Sequence, residues 1–155
     1  MVAKNGFRIV LLTDFSEAAR KAYPVAADLA RRVGGRVTLL HVLEMPIGPL
    51  PGPSFPDPTP LIPEITPTLR ELIRTTEEKL AEERTALPAA VADGVKAIVA
   101  TSVAEGIVEY AGGSEADVVV LSTHGRTGLR RLLMGSVANA LMHASRTPLL
   151  VVPLD

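Results

Sequence analysis

Five short runs of aliphatic and β-branched residues recur along the chain. They are Phe7–Leu12 (FRIVLL), Val37–Val42 (VTLLHV), Val95–Ala100 (VKAIVA), VVVL ending at Leu121 after Asp117, and LLVV after Thr147-Pro148. Runs this short and this uniformly apolar predict strands covered on both faces. Between the first two, Ala18, Ala22, Val25, Ala26, Leu29 and Val33 recur at helical spacing. Ser16 suits the N-cap of that helix, Glu17 its first turn, and Gly34-Gly35 its end. Pro24 lies inside the pattern and predicts a kink or a lost backbone bond. A second helical pattern spans Leu69–Ala86, where EEKLAEER reads as a solvated face. A third follows Thr101-Ser102, from about Val103 to Ala111, closed by Gly112-Gly113. A last helix falls between Ser122 and Ser145.

Strands alternating with helices predict an α/β fold. The expected architecture is a single-domain open sandwich over residues 1–155, with a five-stranded mainly parallel sheet flanked by helices on both faces. One segment breaks the rhythm: residues 46–67 contain nine prolines in 22 positions. It reads either as a loop over a ligand pocket or as a loosely ordered insertion. Ligands of parallel sheets sit beyond the carboxyl ends of the strands. Thr13-Asp14, the residues after Val42, and Ser122 onward leave strand ends in this way and should converge.

At 155 residues with 47% apolar side chains, the chain can bury a sizeable core. Only 3% is aromatic, so aliphatic residues must fill it, and Met134 and Met142 are expected there. A net charge of −1 gives no general field for nucleic acid or an anionic membrane. The absence of cysteine excludes disulfides and thiolate chemistry. The first apolar run is shorter than a signal-peptide core, and no run approaches the roughly 20 residues of a membrane span. A cytoplasmic location is expected.

The stretch from Leu121 to Val137 holds the most chemistry. It reads as a strand, a turn with Gly125 and Gly128, a basic segment with Arg126, Arg130 and Arg131, and then Gly135-Ser136 opening a helix. Glycines let backbone N–H groups approach a phosphate closely, Ser136 can cap the helix, and a helix N-terminus attracts anions. The spacing is neither a Walker loop nor the dinucleotide fingerprint. From spacing alone these glycines could equally be turn residues, and Asp14 a simple turn or cap residue. Arg130-Arg131 could as easily face solvent or a partner subunit as a phosphate. His41, His124 and His143 are scattered, and suggest neither a metal site nor a Ser-His-Asp arrangement.

Thr13-Asp14-Phe15-Ser16, His41-Val42, Thr123-His124-Gly125-Arg126-Thr127-Gly128 and Gly135-Ser136-Val137 together resemble the universal stress protein family over essentially the whole chain. Its ATP-binding members carry glycine, two residues, glycine, nine residues, then glycine with Ser or Thr. Gly125, Gly135 and Ser136 match, whereas the first position is Ser122. The resemblance implies a Rossmann-like fold of the adenine nucleotide alpha hydrolase type. It assigns Asp14 to the ribose hydroxyls, Thr13 and Leu12 to the nucleoside, and Val42 and Leu121 to adenine. Gly125, Gly135, Ser136 and Val137 would donate to phosphates, with Ser122 beneath them and Arg126 at the edge.

The implied ligand is ATP, with Mg2+ or Mn2+ as a candidate bridge between its phosphates. The implied function is nucleotide-dependent stress-response regulation with slow or no hydrolysis, in a homodimer joined through the C-terminal strand Leu149–Val152. Two alternatives are an ATP-using phosphotransferase, with the proline-rich segment as its lid, and a dimeric interaction module that binds no nucleotide.

Overall fold

The apolar runs form one sheet of five strands in the order β3-β2-β1-β4-β5, with every neighbouring pair parallel. The computed structural model describes residues 6–45, 66–123 and 134–154. In chain order the elements are β1 (Phe7–Leu12), α1 (Glu17–Arg20), α2 (Tyr23–Val33), β2 (Gly35–Glu44), α3 (Pro67–Arg84), β3 (Ala92–Ala100), α4 (Val103–Gly113), β4 (Val118–Ser122), α5 (Ser136–Ala144) and β5 (Leu149–Val152).

Alternation along the strands divides the core in two. Ile9, Leu11, Val37, Leu39, Val118 and Val120 pack against α2 and α3 residues such as Ala26, Ala30 and Leu80. Val10, Leu40, Val42, Val119 and Leu121 face Ile107 and Ala111 of α4 and Ala138 and Leu141 of α5. The sheet is thus apolar on both faces, as expected for a parallel sheet between helical layers. Each buried Leu, Ile or Val contributes about 1.5–3 kcal/mol.

Several boundaries differ from the sequence pattern. The first expected helix is two: α1 ends at Arg20, and α2 begins at Tyr23 with Pro24 in its first turn. Proline has no N–H to lose there, so Pro24 starts a helix instead of kinking one. Pro67 likewise opens α3, behind a Thr66 cap whose Oγ1 accepts from Leu69 N at 3.2 Å. The remaining proline-rich residues, 46–65, lie outside the described residues.

Strand β2 begins two residues early. Gly34 caps α2 at φ 65°, and a Cβ on Gly35 would stand 2.6 Å from the Phe7 carbonyl oxygen. Only glycine permits that approach. Gly112 and Gly113 belong to α4 itself. Met134 and Met142, expected in the core, are 41% and 57% exposed. Met142 lies in α5, whose buried residues are Ala138 and Leu141, so its methionine falls off the packed stripe.

Candidate functional site

A cavity of about 480 Å³ opens where β1, β2 and β4 end, in the range usual for small-molecule sites. Nine sequence-predicted site residues line it: Leu12, Thr13, Asp14, Val42, Leu121, Ser122, Gly135, Ser136 and Val137. Gly125 and Arg126, together with His124, Gly128, Arg130 and Arg131, lie outside the described residues.

The cavity has an apolar side and a donor-bearing side. Leu12, Leu40, Val42 and Leu121 from the sheet meet Val103 and Ile107 from α4. The close seat of α4 is made by Gly106, where a Cβ would lie 2.7 Å from Ala100 Cβ and 3.1 Å from Val42 Cγ1. Opposite stands the start of α5. Its N-cap is Gly135, with no side-chain hydrogen bond to the first turn and no acidic residue there. Ser136 is therefore the first helical residue, not the cap expected from the sequence. The first-turn amides of α5 receive no side-chain cap and border the cavity, beside the positive end of the helix dipole.

Gly135 sits at φ −54°, a conformation open to any residue, so its value there is the absence of a side chain. Its N–H donates to Thr123 O at 2.6 Å, and Thr123 N–H donates to Val152 O at 2.9 Å, tying the helix start to β4 and β5. Ser122, where the motif has glycine, ends β4 opposite Val152 and is not among the residues of positive φ. Serine therefore fits without backbone strain.

The turn after β1 is fixed from several sides. Asp14 Oδ1 accepts from Ser16 N at 3.0 Å, and Ser16 Oγ caps α1 through Ala19 N at 3.1 Å. Asp14 is thus a turn residue as well as a cavity residue, with a second carboxylate oxygen left over. Phe15 adopts φ 66°, a left-handed conformation that costs a non-glycine residue about 1–2 kcal/mol. Its ring lies 4.8 Å from that of His41 and beneath Lys79 Nζ at 4.3 Å.

Thr13 is only 6% exposed, and its N–H donates to Leu40 O at 3.0 Å. Its hydroxyl meets Phe15 N at 3.0 Å and the Tyr23 hydroxyl at 2.8 Å, so it turns toward α2 while the residue still lines the cavity. Burial is the main reason the Tyr23 phenol is pushed up to about 12, with the Thr13 hydrogen bond opposing it.

The motifs did not point to Val103, Ile107, Ala19, Ala138 or Glu44, which also line the cavity. Of these, α4 comes from far along the chain and carries no signature. Nor did they mark the role of His41, whose Nδ1–H donates to Thr13 O at 2.7 Å. A carbonyl only accepts, which fixes the proton on Nδ1. Among the described residues no cluster of three His, Asp or Glu side chains is arranged to hold a metal. Nor, among them, is any helix long and apolar enough to cross a membrane.

Fold and site together define an α/β domain with a ligand cavity at the carboxyl edge of a parallel sheet. The profile of the universal stress protein family matches residues 7–153, and the chain belongs to that family. It is 33% identical to the stress response protein NhaX of Bacillus subtilis, over 94% of this chain and 96% of that protein. It is 31% identical to universal stress protein MJ0531 of Methanocaldococcus jannaschii, over 94% and 81%.

Among solved structures, the hypothetical protein MJ0577 superposes with a TM-score of 0.63 at 27% identity, over 96% of both chains. Two more distant structures share the fold. One is a universal stress protein in complex with cAMP, with a TM-score of 0.59 at 20% identity over 95% and 96% of the two chains. The other is the Archaeoglobus fulgidus universal stress protein in complex with dAMP, with a TM-score of 0.53 at 21% identity over 94% and 96%.

Proposed function

We propose that this chain is an ATP-binding regulatory protein of the universal stress type, cytoplasmic and dimeric, that hydrolyses ATP slowly or not at all. The observation that carries this reading is the pairing of the uncapped α5 start with an apolar slot and the Asp14 carboxylate in one cavity. Phosphate suits bare helix amides, a ribose offers hydroxyl donors to a carboxylate, and an adenine face suits Val42, Leu121 and Val103. The cAMP and dAMP complexes of the two distant fold relatives are consistent with an adenine nucleotide as the class of ligand.

Among the described residues from β4 to the start of α5, the cavity lining (Leu121, Ser122, Thr123, Gly135, Ser136, Val137 and Ala138) includes no carboxylate, imidazole or amine, and the Asp14, His41 and Glu44 groups of the same cavity stand at the β1 and β2 ends instead. This favours a bound-state signal over turnover. A magnesium or manganese ion would be held chiefly by the phosphates themselves, since among the described residues no acidic cluster is ready for it.

The test is the small-molecule content of freshly purified protein, released by denaturation and read by mass spectrometry. Adenine nucleotide is expected, lost in Asp14→Ala and Gly135→Val. Protein that carries none and binds none when ATP is added contradicts the reading. Turnover at about 1 per second or faster would favour the phosphotransferase alternative.

Dimerisation through β5 is favoured by the state of the two sheet edges. On β3, Glu77 Oε1 accepts from Ala97 N at 3.2 Å, which blunts that edge. The opposite edge, β5, carries partly buried Leu149, Leu150 and Val151. Sedimentation at micromolar concentration should give a dimer, and a monomer would contradict it.

A further inference from the structure

The residues at and just beyond the end of β1 serve both sides of the sheet. Leu12 and Asp14 line the cavity. Thr13 lies between them and sends its hydroxyl to the α2–α3 side, into a chain of hydrogen bonds that ends at the surface. Tyr23 Oη stands 2.8 Å from Thr13 Oγ1 and 3.1 Å from Glu83 Oε2. Arg20 grips the Glu83 carboxylate with Nη2 at 2.5 Å and Nε at 3.0 Å.

The protons in this chain can be assigned. Arg20 holds the Glu83 carboxyl below its ordinary range, so it is an ionised acceptor. A phenol has one proton, and beside a carboxylate that proton goes to the carboxylate. The Tyr23 oxygen is then free to accept from the Thr13 hydroxyl, whose own oxygen accepts from Phe15 N–H at 3.0 Å. Every bond runs in one direction, from Phe15 through Thr13 and Tyr23 to Glu83. Tyr23 is 3% exposed and Thr13 6%, so a break in the chain leaves a polar group without water to replace the partner.

This chain fixes the backbone on one side of Asp14. The left-handed turn at Phe15 is held by the Thr13 hydroxyl, and the Thr13 carbonyl by His41 Nδ1–H at 2.7 Å. We propose that Tyr23, acting through Thr13, is a positioning residue that sets the Asp14 carboxylate for ribose hydroxyls from the far side of the sheet. The proposal rests on the nucleotide reading above. Asp14 Oδ1 already accepts from Ser16 N, so the carboxylate follows the turn and meets a ligand through its unfilled lone pairs, chiefly those of the other oxygen. A small rotation of the turn would move that oxygen off target.

The test is calorimetric titration with ATP and with 2′,3′-dideoxy-ATP, which lacks both ribose hydroxyls. Hydrogen bonds to a charged group predict that the wild type prefers ATP by about tenfold or more. Tyr23→Phe keeps the ring and should cut that preference by about threefold or more, with dideoxy-ATP bound nearly as before. Thr13→Val should also cut the preference, which covers the case of a Tyr23→Phe protein that fails to fold. Leu80→Val, in the same core but outside the chain, should lower Tm and leave the preference intact.

An unchanged preference in Tyr23→Phe, or an equal loss in Leu80→Val, overturns the proposal by making Tyr23 a packing residue. A wild type that binds both ligands equally overturns it too, and leaves the nucleotide reading standing. A wild type that binds neither removes both.

Discussion

Two helices begin at the same edge of the sheet, and both line the cavity, yet their first turns are built in opposite ways. At the start of α4, Ser102 Oγ accepts from Glu105 N at 3.2 Å, and Glu105 sits in the first turn. Its carboxylate is held in turn by Thr101 Oγ1 at 2.7 Å. This start is closed: its donor is used and a negative charge stands over it. At the start of α5, glycine replaces serine and the first turn holds no acid. One helix therefore offers the cavity an apolar wall through Val103 and Ile107, and the other offers bare amides and a positive dipole end. Equivalent places in a fold acquire different chemistry from one capping residue.

The comparison can be broken most sharply by closing α5 as α4 is closed. Gly135→Asp should weaken ATP binding by about 2 kcal/mol or more, roughly 30-fold, because a carboxylate would compete with phosphate for the same donors. The helix itself should gain a few tenths of a kcal/mol from the new cap. Calorimetry with ATP and a thermal melt read the two effects, which have opposite signs.

Next comes the wall. Gly106→Val forces side-chain atoms into Ala100 and Val42, and should cost about 1–3 kcal/mol of stability by chemical denaturation. Ser102→Ala removes the α4 cap and should cost about 1 kcal/mol while leaving ATP affinity within about twofold. A large loss of affinity there would show that the two helix starts are not distinct in function.

The smallest effect concerns pH. The Glu83 carboxyl is lowered in the folded state, first by its hydrogen bond from Arg20. Its contribution to stability is therefore complete above the unfolded carboxyl value and lost as pH falls through the lower folded value. The Tm gap between wild type and Glu83→Gln should be constant near neutrality and narrow below about pH 4.5. A gap that widens on acidification would reverse the sign and contradict the assignment of Glu83 as an ionised acceptor.

Much of the fold was legible because each strand is a compact apolar run with few substitutes in register. What escaped was set by partners distant in sequence. Gly35 and Arg36 extend β2 because they pair with Phe7 and Arg8, which no local pattern shows. Lys21 and Ala22 separate α1 from α2 although the apolar spacing runs straight through them. Met134 and Met142 read as core by hydrophobicity alone, yet Met134 precedes α5 and the buried stripe of that helix is made by Ala138 and Leu141. At the site, the family resemblance named residues from three strand ends and the α5 start, since those carry the distinctive glycine, serine and aspartate. It missed the α4 wall, made of ordinary aliphatic residues, and it did not show that the Thr13 hydroxyl bonds toward α2. The Thr13–Tyr23–Glu83 chain joins three elements, and no one segment contains its signature.

The central claim is that an adenine nucleotide sets its phosphates on the open start of α5. Backbone amide NMR titration tests it most directly, with ATP compared against adenosine in the same protein. ATP should shift the amides of Ser136, Val137 and Ala138 far more than adenosine does, while the capped amide of Glu105 should respond little to either. Equal shifts at α5 from both ligands, or phosphate-dependent shifts centred on α4, would contradict the account.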